Sequence, residues 1–489
     1  MSILKQLAGQ TALYGLSSVL GRMLNYLLVP FYTAVFVPEE YGIITELYAY
    51  VAFLNILYIY GLETAYFRFS GKEDNDQYFH LAFTSILFSS IVLSGIIWIF
   101  SPSLADLLQY PGKQNYIKWL ALILAIDAIV AIPFAKLRKE GKAGRFAAYK
   151  LSNIIFNILL NLFFILFCPW FLDKKPDHFL SSIYHFEFEV GYVFLSNLIA
   201  NALFLIFFIP LWKKVKIHLS GTVWKRMMNY AWPVFIIGLA GVTNEMLSRA
   251  MLKHRLPEDF YTNYSNLEML GIFGACYKLS VFMTLAVQAF RYAFEPFFFA
   301  QAKKKNAPKV FSQIMTSFVL FTSFSWLALS LFVEQYSPFF LRQESYLEAL
   351  DAVPWLLGGG LFLGVFYNLS IWYKLTDRTL YGAYISIVGA LMTLALNWLL
   401  IPIYGYMGSA YATFLSYFCM VILSYLWGKK YYPVPYRLPK ILLYIFLAGL
   451  GIALNEYLNA TLFSAILITL IFLTLAFLFE SRNPSRSKI

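Results

Sequence analysis

The sequence predicts an all-α membrane protein of about fourteen transmembrane helices: two six-helix lobes around a central cavity, plus two C-terminal helices. Three observations predict it. The composition is 60% hydrophobic and 13% charged, whereas a soluble domain is nearer half apolar and a quarter charged. Apolar runs of about 20 residues, the length that crosses a bilayer, recur along the chain. The 38 lysines and arginines fall mostly in every second linker between those runs.

The runs are 11–30, 42–62, 80–100, 117–136, 151–170, 190–211, 229–252, 267–290, 311–333, 352–373, 380–402, 408–427, 440–457 and 462–479. With an even number, both termini share one side. That side receives Lys5, Arg68, the basic stretch from Lys136 to Lys150, Lys213 to Arg226, Arg291 to Lys309, and the tail. The other side receives only a few cations, such as Lys113 and Lys174. Positive charge marks cytoplasmic loops, so both termini are expected in the cytoplasm, as in a cell inner membrane. The net charge of +12 then reflects topology and does not imply nucleic acid. Tyr and Phe, 36 and 48 in number, suit interfaces and lipid contact. The N-terminus has no short apolar core followed by a small-residue cleavage site, so the first helix is expected to be retained.

An internal repeat organises these runs. Gly42, Ile43, Tyr48 and Phe53 match Gly271, Ile272, Tyr277 and Phe282 at one constant offset. Met23-Leu24 resembles Met246-Leu247, and Asn161 and Gly191 echo Asn397 and Gly408. The expected domains are an N-terminal lobe of helices one to six (1–226), a C-terminal lobe of helices seven to twelve (227–430), and helices thirteen and fourteen with the tail (431–489). Six helices separate the repeats, so they are parallel, a pattern of transporters that rock around a midplane site.

Charges within the runs are the sharpest chemical signal. A charged side chain at the helix centre costs about 2.5–3.5 kcal/mol on insertion scales, so each should face protein, water or an anion. Arg22 shares a polar stripe of the first run with Ser18 and Asn25; it fits either a buried ion pair or a cavity cation that meets an anionic substrate. Glu245 and Arg249 are four apart and able to pair on one helix face, though Arg249 could exchange its partner for a phosphate. Lys278 has no carboxylate four residues away, and Glu46 lies near the repeat-equivalent position. Those two fit a pair made in one transport state or a static ion pair. Asp127 is a lone carboxylate that suits ion or proton coupling, or a simple polar contact. Glu63 and Arg68, and Arg291 and Glu295, fall at the cytoplasmic mouth, as gate residues or interfacial pairs.

Enzyme signals are absent: no phosphate loop, no His-Glu-x-x-His and no nucleophile elbow. The linkers leave no room for an external catalytic domain. No metal or other cofactor is implied, because Cys168, Cys276 and Cys419 have no close ligand companions. The five histidines lie in loops or at run edges.

Three segments carry a family resemblance. Tyr-Gly-Leu-Glu-Thr-Ala-Tyr-Phe-Arg-Phe (60–69), Ile-Pro-Phe-Ala-Lys-Leu-Arg-Lys-Glu-Gly-Lys (132–142) and Asn-Trp-Leu-Leu-Ile-Pro-Ile-Tyr-Gly-Tyr-Met-Gly-Ser-Ala-Tyr-Ala-Thr (397–413) resemble the polysaccharide transporter, or O-antigen flippase, family of the multidrug/oligosaccharidyl-lipid/polysaccharide exporter superfamily. The resemblance implies lobes forming a V around a cationic cavity and an undecaprenyl-pyrophosphate-linked oligosaccharide as substrate. It implies a role in lipopolysaccharide or other surface polysaccharide synthesis, beside membrane lipids and other polysaccharide-assembly proteins. The related lipid II flippases use cavity arginines, including ones in the first helix, and Arg22 is the similar position here. Arg249 and Lys278 enter as cavity cations of the second lobe, and Ser18 and Asn25 flank Arg22. Glu46, Asp127, Glu245, Glu63, Arg68 and Arg291 are the expected coupling or gating residues. An ion-coupled multidrug exporter of the same superfamily is the alternative, and a membrane polysaccharide polymerase or ligase a more distant one.

Overall fold

A computed structural model describes residues 20–70, 76–216, 220–302, 304–458 and 461–481. Every regular element among them is helical. Eleven described helices are long and apolar enough to cross a membrane, and Gly191–Phe207 is a shorter apolar helix. Residues 20–26 and Leu28–Val35 cover the described part of the first predicted run. Gly221–Arg255 covers the seventh in one 35-residue helix. The helices thus fall on all fourteen predicted runs, as a multi-pass membrane protein requires.

Local chemistry sets the helix ends. Pro38 opens Pro38–Ile59, where its missing N–H costs nothing. Glu39 and Glu40 stand in that first turn, favoured by the helix dipole, and Glu40 accepts from the Val37 N–H at 3.1 Å. The helix stops at Tyr60 and Gly61, whose φ values are +35° and +77°. A Cβ on Gly61 would overlap the Ala231 carbonyl, so glycine allows both the turn and the close approach. The chain resumes as Leu62–Ser70. The sequence reading carried one helix to residue 62; the left-handed turn instead places Glu63 and Arg68 on a separate short helix.

The fifth span is also broken. Ala143–Leu162 passes into a π-helical turn, Phe163–Phe167, and then Cys168–Lys174. Pro169 lacks an N–H and displaces the regular ladder just ahead of it.

The chain divides into two compact units: Met1–Leu28 with Ile43–Met246, and Val29–Gly42 with Leu247–Ile489. In the first unit, Tyr58, Tyr66, Tyr78, Phe79 and Ile86 centre one buried cluster. Val130, Phe134, Phe204 and Phe208 form another.

In the second unit, Ala352–Leu369 packs against Tyr406–Tyr431 and Asn266–Gln301. Its glycines make that possible: Gly358 meets Phe414, Gly360 meets Met283, and Gly364 meets Phe318 and Val287. Small residues let membrane helices approach closely where lipid supplies no hydrophobic drive. The repeat glycines Gly42 and Gly271 lie against each other here. A Cβ on Gly271 would overlap the Pro38 carbonyl and come within 2.8 Å of the Gly42 nitrogen. The last two helices, Leu438–Tyr457 and Leu462–Ser481, expose Phe446, Phe463 and Phe477, as lipid-facing surfaces do.

Candidate functional site

In the first unit the buried charge is carboxylate. Glu46 is fully buried. Tyr50, one turn further along the same helix, donates to its Oε1 at 3.0 Å, and Tyr110 donates to its Oε2. Tyr110 reaches in from the segment after the short helix Ser101–Leu107, where Gln109 at φ +62° and Gly112 at φ +79° turn the chain. Phenol donors stabilise a buried carboxylate as charge-assisted hydrogen bonds.

Asp127 sits in an amide relay. Asn201 donates to its Oδ1 at 3.0 Å, and Asn153 donates to Asn201 at 3.0 Å. One turn earlier than Asn201, Asn197 donates to the Tyr48 hydroxyl at 2.8 Å. Lys150 is the cation whose field acts on Asp127. Its ammonium lies over the rings of Phe134 and Phe204, at 4.5 and 5.3 Å. Four helices therefore converge on one polar patch inside an apolar bundle. Sequence reasoning found Asp127 but not Lys150, Asn153, Asn197 or Asn201. The i,i+4 pair Asn197 and Asn201 in an apolar helix was the available signal.

Glu63, expected beside Arg68, forms an ion pair with Arg138. Arg68 lies over the Tyr230 ring at 5.0 Å. At the ends of two helices, Lys136 in the last turn of Gln114–Lys139 bonds Asp76, the residue before Gln77–Ile99, at 3.0 Å, and that hydrogen bond holds the Asp76 carboxyl below the usual carboxylate range.

In the second unit the buried charge is cationic. Arg249 is buried on the helix Gly221–Arg255, with its guanidinium 4.2 Å from the Tyr277 ring centroid. A desolvated cation on a ring face gains about 2 kcal/mol. Lys253, one turn on, is also buried. Ser248 lies 3.3 Å from the Thr413 hydroxyl, and Ser409 donates to Asn397 at 3.1 Å. Lys278 is half-buried, one residue after Tyr277. Arg291 stacks on Tyr367 at 4.8 Å.

Arg22 and Asn25 are exposed on the first helix, and Ser18 lies outside the described residues. Glu245 stands one turn before Arg249 on one continuous helix, the spacing that pairing needs.

A family model described as polysaccharide biosynthesis protein matches residues 35–170. No curated protein matches the sequence. Among solved structures, the lipid II flippase MurJ in an inward closed conformation is similar over 96% of this chain and 100% of its own, at 13% identity and a TM-score of 0.71. An inward-facing multidrug resistance MATE transporter is similar over 86% of this chain and 94% of its own, at 16% identity and a TM-score of 0.61. A MOP superfamily transporter from Pyrococcus furiosus, described by the reverse polarity of its binding pocket, is similar over 86% of this chain and 95% of its own, at 16% identity and a TM-score of 0.55. The chain has a fold like those of MurJ and the MATE transporter. On that fold, residues 35–170 are the part that matches the polysaccharide-biosynthesis model.

Proposed function

We propose that this protein is a flippase that moves an undecaprenyl-pyrophosphate-linked oligosaccharide across the cell inner membrane by alternating access, for surface polysaccharide synthesis. The observation that carries this reading is the joint match: the polysaccharide-biosynthesis model over residues 35–170 on a fold shared with MurJ over 96% of the chain. The reading takes 1–226 and 227–430 as the two moving lobes, 431–489 as the added helices, and both termini as cytoplasmic.

The chemistry of the substrate supports the assignment of roles. A pyrophosphate is multiply anionic, and its sugars are too polar to cross hydrocarbon unaided. Fixed cations can replace its water while the lipid tail stays in the bilayer. Arg22, Arg249 and Lys278 take the phosphate, with Ser18 and Asn25 as hydroxyl and amide partners. Glu46 and Glu245 compete for those cations and weaken the grip, so that the head group leaves. Asp127 couples the cycle to an ion or proton, and Glu63, Arg68 and Arg291 act at the mouth. Membrane lipids and other polysaccharide-assembly proteins are its partners, and no cofactor or metal is needed.

A deletion strain tests this. It should accumulate lipid-linked oligosaccharide on the cytoplasmic face, with wild type restoring export and Arg249→Gln failing at an equal membrane level. The buried carboxylates Glu46 and Asp127 favour a second reading, an ion-coupled exporter of cationic drugs. Raised drug sensitivity with normal glycan export in the deletion strain would establish that reading and reject the flippase.

A further inference from the structure

Residues 175–190 join the fifth span to the helix Gly191–Phe207. Three large apolar side chains stand out from this loop. Phe179, Ile183 and Phe186 are 65%, 61% and 62% exposed. Leaving that much apolar surface in water is unfavourable, and an apolar patch outside the spans marks a contact.

The other side of the loop is tied to the first unit. The Tyr184 ring stacks on Tyr192 with centroids 4.7 Å apart. Tyr116 donates to the Phe188 carbonyl at 2.8 Å, and Lys113 pairs with Glu189 at 2.7 Å. Glu189 itself holds a φ of +43°, which residues other than glycine rarely adopt. Much of the loop backbone is met locally. His178 Nδ1 accepts the Leu180 N–H at 3.3 Å, and Ser181 and Ser182 donate to the His178 and Phe179 carbonyls at 2.8 and 2.6 Å. The Ile183 and Tyr184 N–H groups both bond the Leu180 carbonyl, at 3.1 and 2.8 Å. The exposed trio is thus presented by an ordered support.

The neighbouring span shows what covers it. Ala143–Lys174 is long and apolar enough to cross a membrane, and it exposes Leu159, Leu166 and Trp170 as a lipid-facing surface does. A ladder of rings runs from that span into the loop. Phe163 stacks on Phe167 and Phe167 on Phe171; Phe171 then meets His178 at 4.9 Å, and His178 meets Phe179 at 4.5 Å. Phe179 therefore continues a surface that begins in lipid contact. Beside the ladder, the Lys174 ammonium lies over Trp170 at 4.2 Å and Lys175 over Phe171 at 5.8 Å. Rings with lysines laid along them are the pattern of a membrane–water boundary. Charges of both signs, Lys174 and Lys175 with Asp177 and Glu187, select neither an acidic nor a basic partner.

We propose that residues 175–190 dock in the lipid head-group layer beside the fifth span, with Phe179, Ile183 and Phe186 reaching the acyl boundary. A backbone met within the loop enters that layer at little cost. The partner is the bilayer surface and not one anionic lipid. Docking holds the adjoining ends of the fifth and sixth spans at one depth, whatever the protein carries.

The test uses the full-length protein in phosphatidylcholine vesicles. Cys419→Ser is the background, since Cys168 and Cys276 are buried. Phe179→Cys, Ile183→Cys and Phe186→Cys each carry a bimane label, and Glu258→Cys in an exposed turn is the control. All four substitute exposed side chains and should melt as the background does. Phosphatidylcholine brominated near the head group should quench about half the emission of the three loop labels, at the depth of interfacial residues. Iodide in the water should quench them several-fold less than the Glu258→Cys label. Iodide quenching equal to that control, with none from the brominated lipid, places the loop in water and overturns the proposal. Resistance to both quenchers means that a second copy of the chain covers the trio, and overturns it as well.

Discussion

Glu46 in the first unit and Arg249 in the second are both nearly sealed, at 0% and 7% exposure, yet different chemistry holds them. Glu46 is gripped at both oxygens by Tyr50 and Tyr110. Arg249 rests on the face of Tyr277. The same contrast extends outward. Asp127 takes an amide proton from Asn201, while Arg291 lies on Tyr367 and Arg255 on Trp398, the latter at 3.7 Å. A carboxylate needs donors, and hydrogen bonds saturate it. A ring face attracts a cation through its quadrupole and uses none of the N–H donors. The carboxylates Glu46 and Asp127 are therefore held by donors, whereas Arg249, Arg291 and Arg255 are oriented without spending donors in the ring contact.

The largest expected effect comes from breaking the cationic side of this contrast. Arg249→Gln should cut glycan export at least tenfold with normal membrane insertion, while Arg249→Lys, which keeps the charge over Tyr277, should retain part of it. Full export by Arg249→Gln would mean that the guanidinium only fills space. On the carboxylate side, Glu46→Leu should destabilise the protein by about 1–3 kcal/mol, since it strands two phenols. Glu46→Gln, which keeps an acceptor, should unfold near the wild-type temperature yet slow export. Equal export by Glu46→Gln would assign Glu46 to structure alone.

Packing gives a smaller test. Gly271→Ala should cost about 1–3 kcal/mol by overpacking, because the added carbon meets Pro38 backbone. An unchanged melting temperature would mean that the two helices separate freely there. The smallest effect is at the surface. The Asp76 carboxyl is held below its usual range by Lys136, so its contribution is present above the unfolded-state pKa and is lost as pH falls through the folded one. The pair is exposed and screened, so Asp76→Asn should change stability by less than about 1 kcal/mol, and that difference should vanish in acid.

Much of the fold was legible because an apolar run is a local property. The breaks were not. At the Tyr60–Gly61 turn the Ala231 carbonyl lies where a side chain on the glycine would be, a contact from far along the chain. The candidate site was legible in part for a related reason. A charge within an apolar run stands out alone, so Glu46, Asp127, Arg249 and Lys278 could be found by inspection. Tyr110 and Asn201 look like ordinary residues until the fold brings them to a carboxylate. Asn368 is one asparagine among many until the fold buries it with neither end of its amide partnered among the described residues.

The sequence by itself determined a multi-pass helical chain with rare charges inside its apolar runs, because hydrocarbon tolerates only satisfied backbone and penalises an uncompensated charge. Only the tertiary structure decided which donors hold those charges and which glycines touch. Those outcomes depend on side chains distant in sequence meeting within a few ångströms, and residue type alone carries no record of such meetings.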